Sequence, residues 1–128
     1  MAEGMQIRRA HFPSRAPIDA YGNGGFRFAD MSHRGSLLFL PSGIHGWQPQ
    51  SPTLTEADFA PVVAESEKIE ILLVGTGERL EPLAPDLRKV LKAAGMAVEI
   101  MSTGAAVRTF NVLLAEERAV AAALIAVD

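Results

Sequence analysis

The sharpest hydrophobic pattern lies in the second half of the chain. Ile71, Leu72, Leu73 and Val74 are consecutive and apolar, which predicts a strand buried on both faces, as in a parallel sheet covered by helices. Gly75–Thr76–Gly77 ends it. Leu83, Leu87, Val90, Leu91 and Ala94 then recur at i, i+4, i+7, i+8 and i+11, the one-faced stripe of an amphipathic helix. Pro85 suits the first turn of that helix and Gly95 its stop. Ala97 to Met101 predicts a second strand, with Val98 and Ile100 on one face and Glu99 on the other. Ser102–Thr103–Gly104 supplies an N-cap for a third helix, whose buried face is Ala106, Phe110, Leu113 and Leu114 and which ends near Glu116–Arg118. Ala119 to Val127 carries no charge. It predicts a strand at the sheet centre, where alanine side chains let helices pack closely. Strand–helix–strand–helix–strand is the signature of a layered α/β domain.

The first half is less periodic. Residues 1–16 read as a flexible tail, since Arg8, Arg9, His11, Pro13 and Arg15 follow no period, and residues 17–128 read as one domain. Ile18–Tyr21 predicts a strand running into the Gly22–Asn23–Gly24–Gly25 turn. Gly25–Phe28 and Ser36–Leu40 predict two strands of a hairpin, joined by a polar loop over Asp30–Gly35. Gly43–Gln48 reads as a further short extended piece centred on Trp47. Thr53 or Thr55 caps a helix in which Glu56 and Asp58 favour the first turn. Its apolar stripe is Phe59, Val62 and Val63, with Pro61 tolerated only in the first turns.

Composition narrows the classes. At 128 residues the chain builds one core, and with 48% hydrophobic and 21% charged residues it folds rather than remaining disordered. The net charge of −3 argues against binding nucleic acid through a broad basic face. Cysteine is absent, which removes disulfides, thiolate zinc sites and cysteine nucleophiles. No run of apolar residues is long enough for a transmembrane helix, and Met1–Gly4 does not open a secretory signal, so a cytoplasmic protein is expected. Charge is uneven: residues 1–34 carry five arginines against three acids, +2, whereas residues 35–128 carry seven bases against twelve acids, −5. A mildly basic edge bearing Arg27 and Arg34 is a candidate contact for an acidic partner or lipid headgroups, and equally an ordinary solvated surface.

Candidate chemistry is sparse. Backbone N–H groups at helix starts attract anions, and open α/β sheets bind ligands beyond the carboxyl ends of their strands. Gly75, Thr76, Gly77 and Thr103 therefore form a candidate pocket. Glycine for turns and hydroxyls for caps explain the same residues, and Leu80 stands where a dinucleotide fingerprint requires its third glycine. Glu99, a carboxylate inside an apolar strand, is a candidate polar group for that pocket, or an edge residue, or half of an ion pair. Asn111, unfavourable in a helix interior, is placed to hydrogen-bond something specific. Glu117 falls on the apolar face unless the helix stops before it. His11, His33 and His45 lack metal-ligand spacing, so neither a metal nor another cofactor is expected, and no catalytic residue is assigned. Trp47 is a core plug or, if it lies on a loop, an interaction residue.

The order of motifs is more specific than any one of them. Tyr21-Gly22-Asn23-Gly24-Gly25-Phe26-Arg27-Phe28 is followed by Gly35-Ser36-Leu37-Leu38, Leu40-Pro41 and Trp47. Leu73-Val74-Gly75-Thr76-Gly77, Val98-Glu99-Ile100-Met101 and the run Thr103-Gly104-Ala105-Ala106 through Asn111-Val112-Leu113 come after. Over residues 17–127 this resembles the small bacterial and archaeal domain family related to mitochondrial respiratory complex I assembly factor three. The resemblance implies a three-layer α/β fold: a central mixed five-stranded sheet with one antiparallel strand, flanked by helices, with Phe26–Leu40 as a β-hairpin extension. It implies a non-enzymatic interaction module, an assembly factor for a membrane protein complex. Such a module has protein partners, no nucleic acid, and a place at the cytoplasmic face of the inner membrane. Trp47, Arg27 and Arg34 are then the expected interaction surface. The alternative is a small-molecule or anion-binding protein whose site comprises Gly75, Thr76, Gly77, Glu99, Thr103 and Asn111. Oligomeric state stays open.

Overall fold

The computed structural model describes residues 11–12, 14–49 and 53–128. Among the described residues nine strands form two sheets. The larger is built on β5 (Ser36–Leu40), β6 (Gly43–Trp47), β7 (Ile71–Gly75), β8 (Ala97–Met101) and β9 (Val120–Leu124), in the order β6-β5-β9-β7-β8. A two-residue strand β1 (His11–Phe12) adds to the β6 edge. The three strands β9, β7 and β8 are parallel, and β5 runs antiparallel to its neighbours β9 and β6. The smaller sheet is an antiparallel meander of β2 (Ile18–Gly22), β3 (Gly25–Phe28) and β4 (Met31–Arg34). A mixed five-stranded sheet with one antiparallel strand, helices on both sides and a β extension is the architecture expected.

Two details differ. The polar stretch expected as a loop over Asp30–Gly35 contains β4, so the extension is a three-stranded sheet ending at Arg34. Ser36–Leu40 belongs instead to the main sheet. The tight β3–β4 connection explains this: Ala29 (φ 48°) and Asp30 (φ 62°) both take the left-handed conformation that a two-residue hairpin turn needs. Nothing in the pair Ala-Asp advertises it. The β2–β3 turn does the same with Asn23 and Gly24, the residues that favour it. The segment before residue 17 is also engaged. His11–Phe12 pairs with β6, the Arg15 guanidinium reaches the carbonyl of Arg118 (3.1 Å), and Ala16 is buried; residues 1–10 lie outside the described part.

The crossovers set the layers. The chain leaves β7 through α2 (Pro85–Ala93) to reach β8, then returns past β7 through α3 (Thr103–Ala115) to β9. Opposite directions of travel require opposite faces for connections of one hand. Accordingly Leu87 and Leu91 of α2 pack with Leu38, Leu72 and Val74 on one face, while Phe110 of α3 packs with Phe39 and Leu73 on the other. The small sheet covers the rest of the α3 face with Ile18, Phe26 and Phe28. On the α2 face, a 3₁₀ turn (Glu56–Phe59) leads into the short helix α1 (Ala60–Ala64). Pro61 lies in its first turn, as its missing N–H demands.

Strand β9 is fully buried and carries Ala121, Ala122 and Ala123. Ala122 lies opposite Phe39, whose ring sits 5.0 Å from that of Phe110. A methyl group at that position leaves room for both rings. Helix α3 stops as its charge pattern requires. Glu117 takes φ 61°, and the N–H groups of Arg118 and Glu117 return to the carbonyls of Leu113 and Leu114, a Schellman closure that turns Glu117 out to solvent.

Candidate functional site

The connections leaving β7 and β8 go to opposite faces. In an open α/β sheet the crevice between two such strand ends is where ligands settle. Here Thr103 fills it. Its side chain is fully buried; the hydroxyl accepts from the Gly77 N–H (3.0 Å) and donates to the Ile125 carbonyl (2.7 Å), while its own N–H donates to the Gly77 carbonyl (2.7 Å). One threonine thus fastens the exits of β7, β8 and β9. Gly75 is glycine for the same reason: a Cβ there would stand 2.9 Å from the Leu124 side chain and 3.0 Å from the Thr103 Cα.

Thr76 organises the next turn. Its hydroxyl donates to the Arg79 carbonyl (2.6 Å) and accepts from the Glu81 N–H (2.8 Å). Ser102 caps α3 by accepting from the Ala105 N–H at 3.3 Å. The N–H groups of Thr103, Ala105 and Ala106 at the α3 start are therefore engaged within the fold. Beside this knot, on the α2 face, a cleft of about 690 Å³ opens between the 76–84 loop and Pro49, Thr53 and Leu54, with Ser36, Thr76, Glu81, Leu83 and Ile125 also in its lining.

The six expected pocket residues separate. Gly75, Thr76, Gly77 and Thr103 meet at the strand ends. Glu99 does not join them: it is an exposed residue on the edge strand β8. Asn111 lies on the far side of α3, where its amide accepts from the Ile18 N–H (2.8 Å) and donates to the Ile18 carbonyl (2.9 Å). It pairs with one residue of β2 as a neighbouring strand would, and this clamps the small sheet to α3. Trp47 is 6% exposed, donates its indole N–H to the Asp58 carbonyl (2.8 Å) and packs edge-on against Phe59. It is a core plug and offers no exposed ring to a partner. Arg27 and Arg34 are exposed on the small sheet.

The sequence reading missed a polar chain at the β5–β6 turn. The Ser42 hydroxyl donates to Glu65 Oε2 (2.6 Å) and lies 2.9 Å from His45 Nε2, and the Ser42 N–H donates to Glu65 Oε1 (2.9 Å). In a nucleophilic triad the imidazole stands between serine and carboxylate. Here serine is in the middle, its proton held by the carboxylate, so His45 acts as the donor and the serine is not activated by it. The arrangement ties the hairpin to the end of α1. Residues 42 and 65 are far apart in sequence, and no local signal joins them. A second tether, Arg118 to Glu70 at 2.9 Å, is exposed on both sides; hydrogen bonding and the charge of Arg118 lower the Glu70 pKa.

Residues 18–125 match the family described as a protein of unknown function (DUF498/DUF598). The chain belongs to this family. An uncharacterised protein of Rhodobacter capsulatus is 40% identical over 121 residues, covering 94% of this chain and 93% of that one. NADH dehydrogenase (ubiquinone) 1 alpha subcomplex assembly factor 3 of Mus musculus is 34% identical over 94% of this chain, which spans 66% of that protein's length. Among solved structures, an outer membrane protein from Bartonella henselae superposes with a TM-score of 0.89 at 61% identity, covering 92% of this chain and 100% of that one. A Bordetella pertussis protein, a Mth938-like domain, superposes at 0.75 with 29% identity, covering 95% and 92% of the two chains. The fold of this family member is the Mth938-like α/β fold.

Proposed function

We propose that this chain is an interaction module that assists the assembly of a membrane protein complex by binding protein subunits at the cytoplasmic face of the membrane. The observation that carries this reading is the 34% identity to the mouse assembly factor along 94% of the chain. The strand-end chemistry supports it from another side. The hydroxyls of Thr76, Ser102 and Thr103 are engaged in holding loops and helix starts, which leaves the outer surface as the working part. Among the described residues no helix is long and apolar enough to cross a membrane, so contact with a membrane complex runs through that surface. The test is crosslinking and affinity purification of the tagged chain from its own cells. Enrichment of NADH dehydrogenase subunits, and less assembled complex on native gels when the gene is deleted, is the expected result. Intact assembly in the deletion strain, with no subunit enriched, overturns the reading.

The cleft beside Thr76 and Glu81 favours a second reading, a small-molecule binder. A ligand at 100 times its Kd stabilises a protein by about 2.7 kcal/mol, so a thermal-shift screen of nucleotides, phosphates and carboxylates tests it directly. A hit that Glu81→Gln does not weaken places the binding outside this cleft.

A further inference from the structure

The outer face of the small sheet has an unusual layout. Strand pairing puts Ala20, Arg27 and Ser32 in one cross-strand row and Gly22, Gly25 and Arg34 in the next. The two rows share a face, because they are two residues apart on every strand. The core side of the sheet is the other one, carrying the buried Phe26 and Phe28. The outer rows therefore combine a floor almost without side chains (Ala20, Gly22 and Gly25) with two arginines and a serine rising from it. A shallow cleft of about 450 Å³ lies over this floor, and Arg27, Ser32 and Arg34 are among its walls. Gly25 admits no side chain, because a Cβ there would run into the backbone of His33 and Arg34 on the paired strand.

Both arginines are exposed, and among the described residues neither pairs with a carboxylate; the one ion pair there joins Arg118 to Glu70. Arg27 and Arg34 are diagonal neighbours, a relation that spaces residues about 7–8 Å apart on one face of a sheet. Like charges this close repel, and the repulsion is relieved when an anionic partner arrives. A single phosphate or carboxylate supplies one centre of charge. An extended peptide with acids at alternate positions supplies two, on one face and about 6.6 Å apart. That spacing matches the arginine pair, and guanidinium groups bind carboxylates through paired hydrogen bonds.

We propose that this face is the docking site for an extended acidic segment of a protein partner, with Arg27 and Arg34 each binding one of two carboxylates two residues apart. The inference rests on the reading of the chain as an interaction module and names the partner's chemistry.

The probe is a labelled peptide alternating Glu and Thr, titrated to millimolar concentration into isotopically labelled protein and followed by backbone amide shifts. Shifts confined to Ala20–Arg34, fading as salt is raised, are expected. Two lost exposed ion pairs reduce affinity by about tenfold in the Arg27→Gln/Arg34→Gln double variant. Because both side chains are exposed, its melting temperature should match the parent's and establish that it is folded. A Gln-Thr peptide that binds equally well, or no shift with the Glu-Thr peptide, overturns the proposal. It is also overturned if inorganic phosphate or phosphatidylglycerol vesicles bind this face and the peptide does not. The double variant is also carried through the affinity purification. Complex subunits recovered by a protein that ignores the peptide sink this inference and leave the assembly reading standing. Loss of the subunits from the double variant alone supports both.

Discussion

The two faces of the main sheet are covered in different ways, and the difference decides where clefts reach in toward that sheet. On one face a thirteen-residue helix and a three-stranded sheet lie over the strands. Phe12, Phe28, Phe39 and Phe110 run through that layer as a chain of ring contacts at 6.3, 5.9 and 5.0 Å. The opposite face is covered by the nine-residue α2, the five-residue α1 and long irregular connections. Its core is as dry, with Leu72, Val74, Phe59 and Leu91 almost fully buried, yet the strand-end cleft and a second groove beside Trp47 and Glu65 both open there. Regular elements cover continuous area because their side chains recur at fixed spacing. Irregular chain covers area residue by residue and leaves gaps between the anchors.

Large-to-small substitutions separate the two faces most strongly. Phe110→Ala removes a ring held between a helix and a sheet and is expected to cost about 3–5 kcal/mol. Leu91→Ala on the other face should cost less, because short elements relax into a void more easily. Urea unfolding of both variants checks the order, and equal losses would mean that the two coverings are equally stiff. Thr103→Val keeps shape but leaves the Gly77 N–H and the Ile125 carbonyl without their partner at the junction of both layers. It is expected to cost about 1–3 kcal/mol, whereas Thr103→Ser, which retains the hydroxyl, costs less.

Two smaller effects sharpen the same contrast. Glu117 holds a left-handed conformation at the end of α3, so Glu117→Gly should stabilise the protein by up to about 1 kcal/mol; a lower melting temperature would contradict this. His33 lies in the small sheet, where burial lowers its pKa against the opposing hydrogen bond to the Ser36 carbonyl. The unfolded chain therefore takes up this proton first as pH falls. Stability from the site is complete above the ordinary imidazole value of 6.5 and declines as pH drops through it toward the lower folded pKa. His33→Asn should flatten that slope; an unchanged slope would assign it to other groups.

Elements with an apolar pattern could be read from the sequence, the edge strands β2 and β8 among them, and the mostly polar β4 could not. The run Ile71–Val74, the stripe from Leu83 to Ala94 and the uncharged alanines of β9 each announce two-sided or one-sided burial. Strand β4 has the sequence Met-Ser-His-Arg and is mostly exposed, so no apolar alternation marks it, and Ala29–Asp30 lacks the glycine that would mark its turn. The strand-end residues were legible as a group because turns and caps have strong residue preferences. Their use was not, since Thr103 is satisfied by Ile125 and Asn111 by Ile18, partners distant in sequence. Trp47 is decided in the same way, by Asp58 and Phe59 from a later segment.

The position of β9 between β5 and β7 has a consequence for synthesis. During translation the β5–β6 hairpin emerges early and carries Leu37–Leu40, all buried in the finished fold. Its open edge waits for residues 120–124, which are made long after it. Pairings so distant in sequence slow folding, and an unpaired apolar edge is the feature through which nascent chains associate wrongly. The strand that completes the sheet is thus also the one whose late arrival sets how long the molecule is vulnerable.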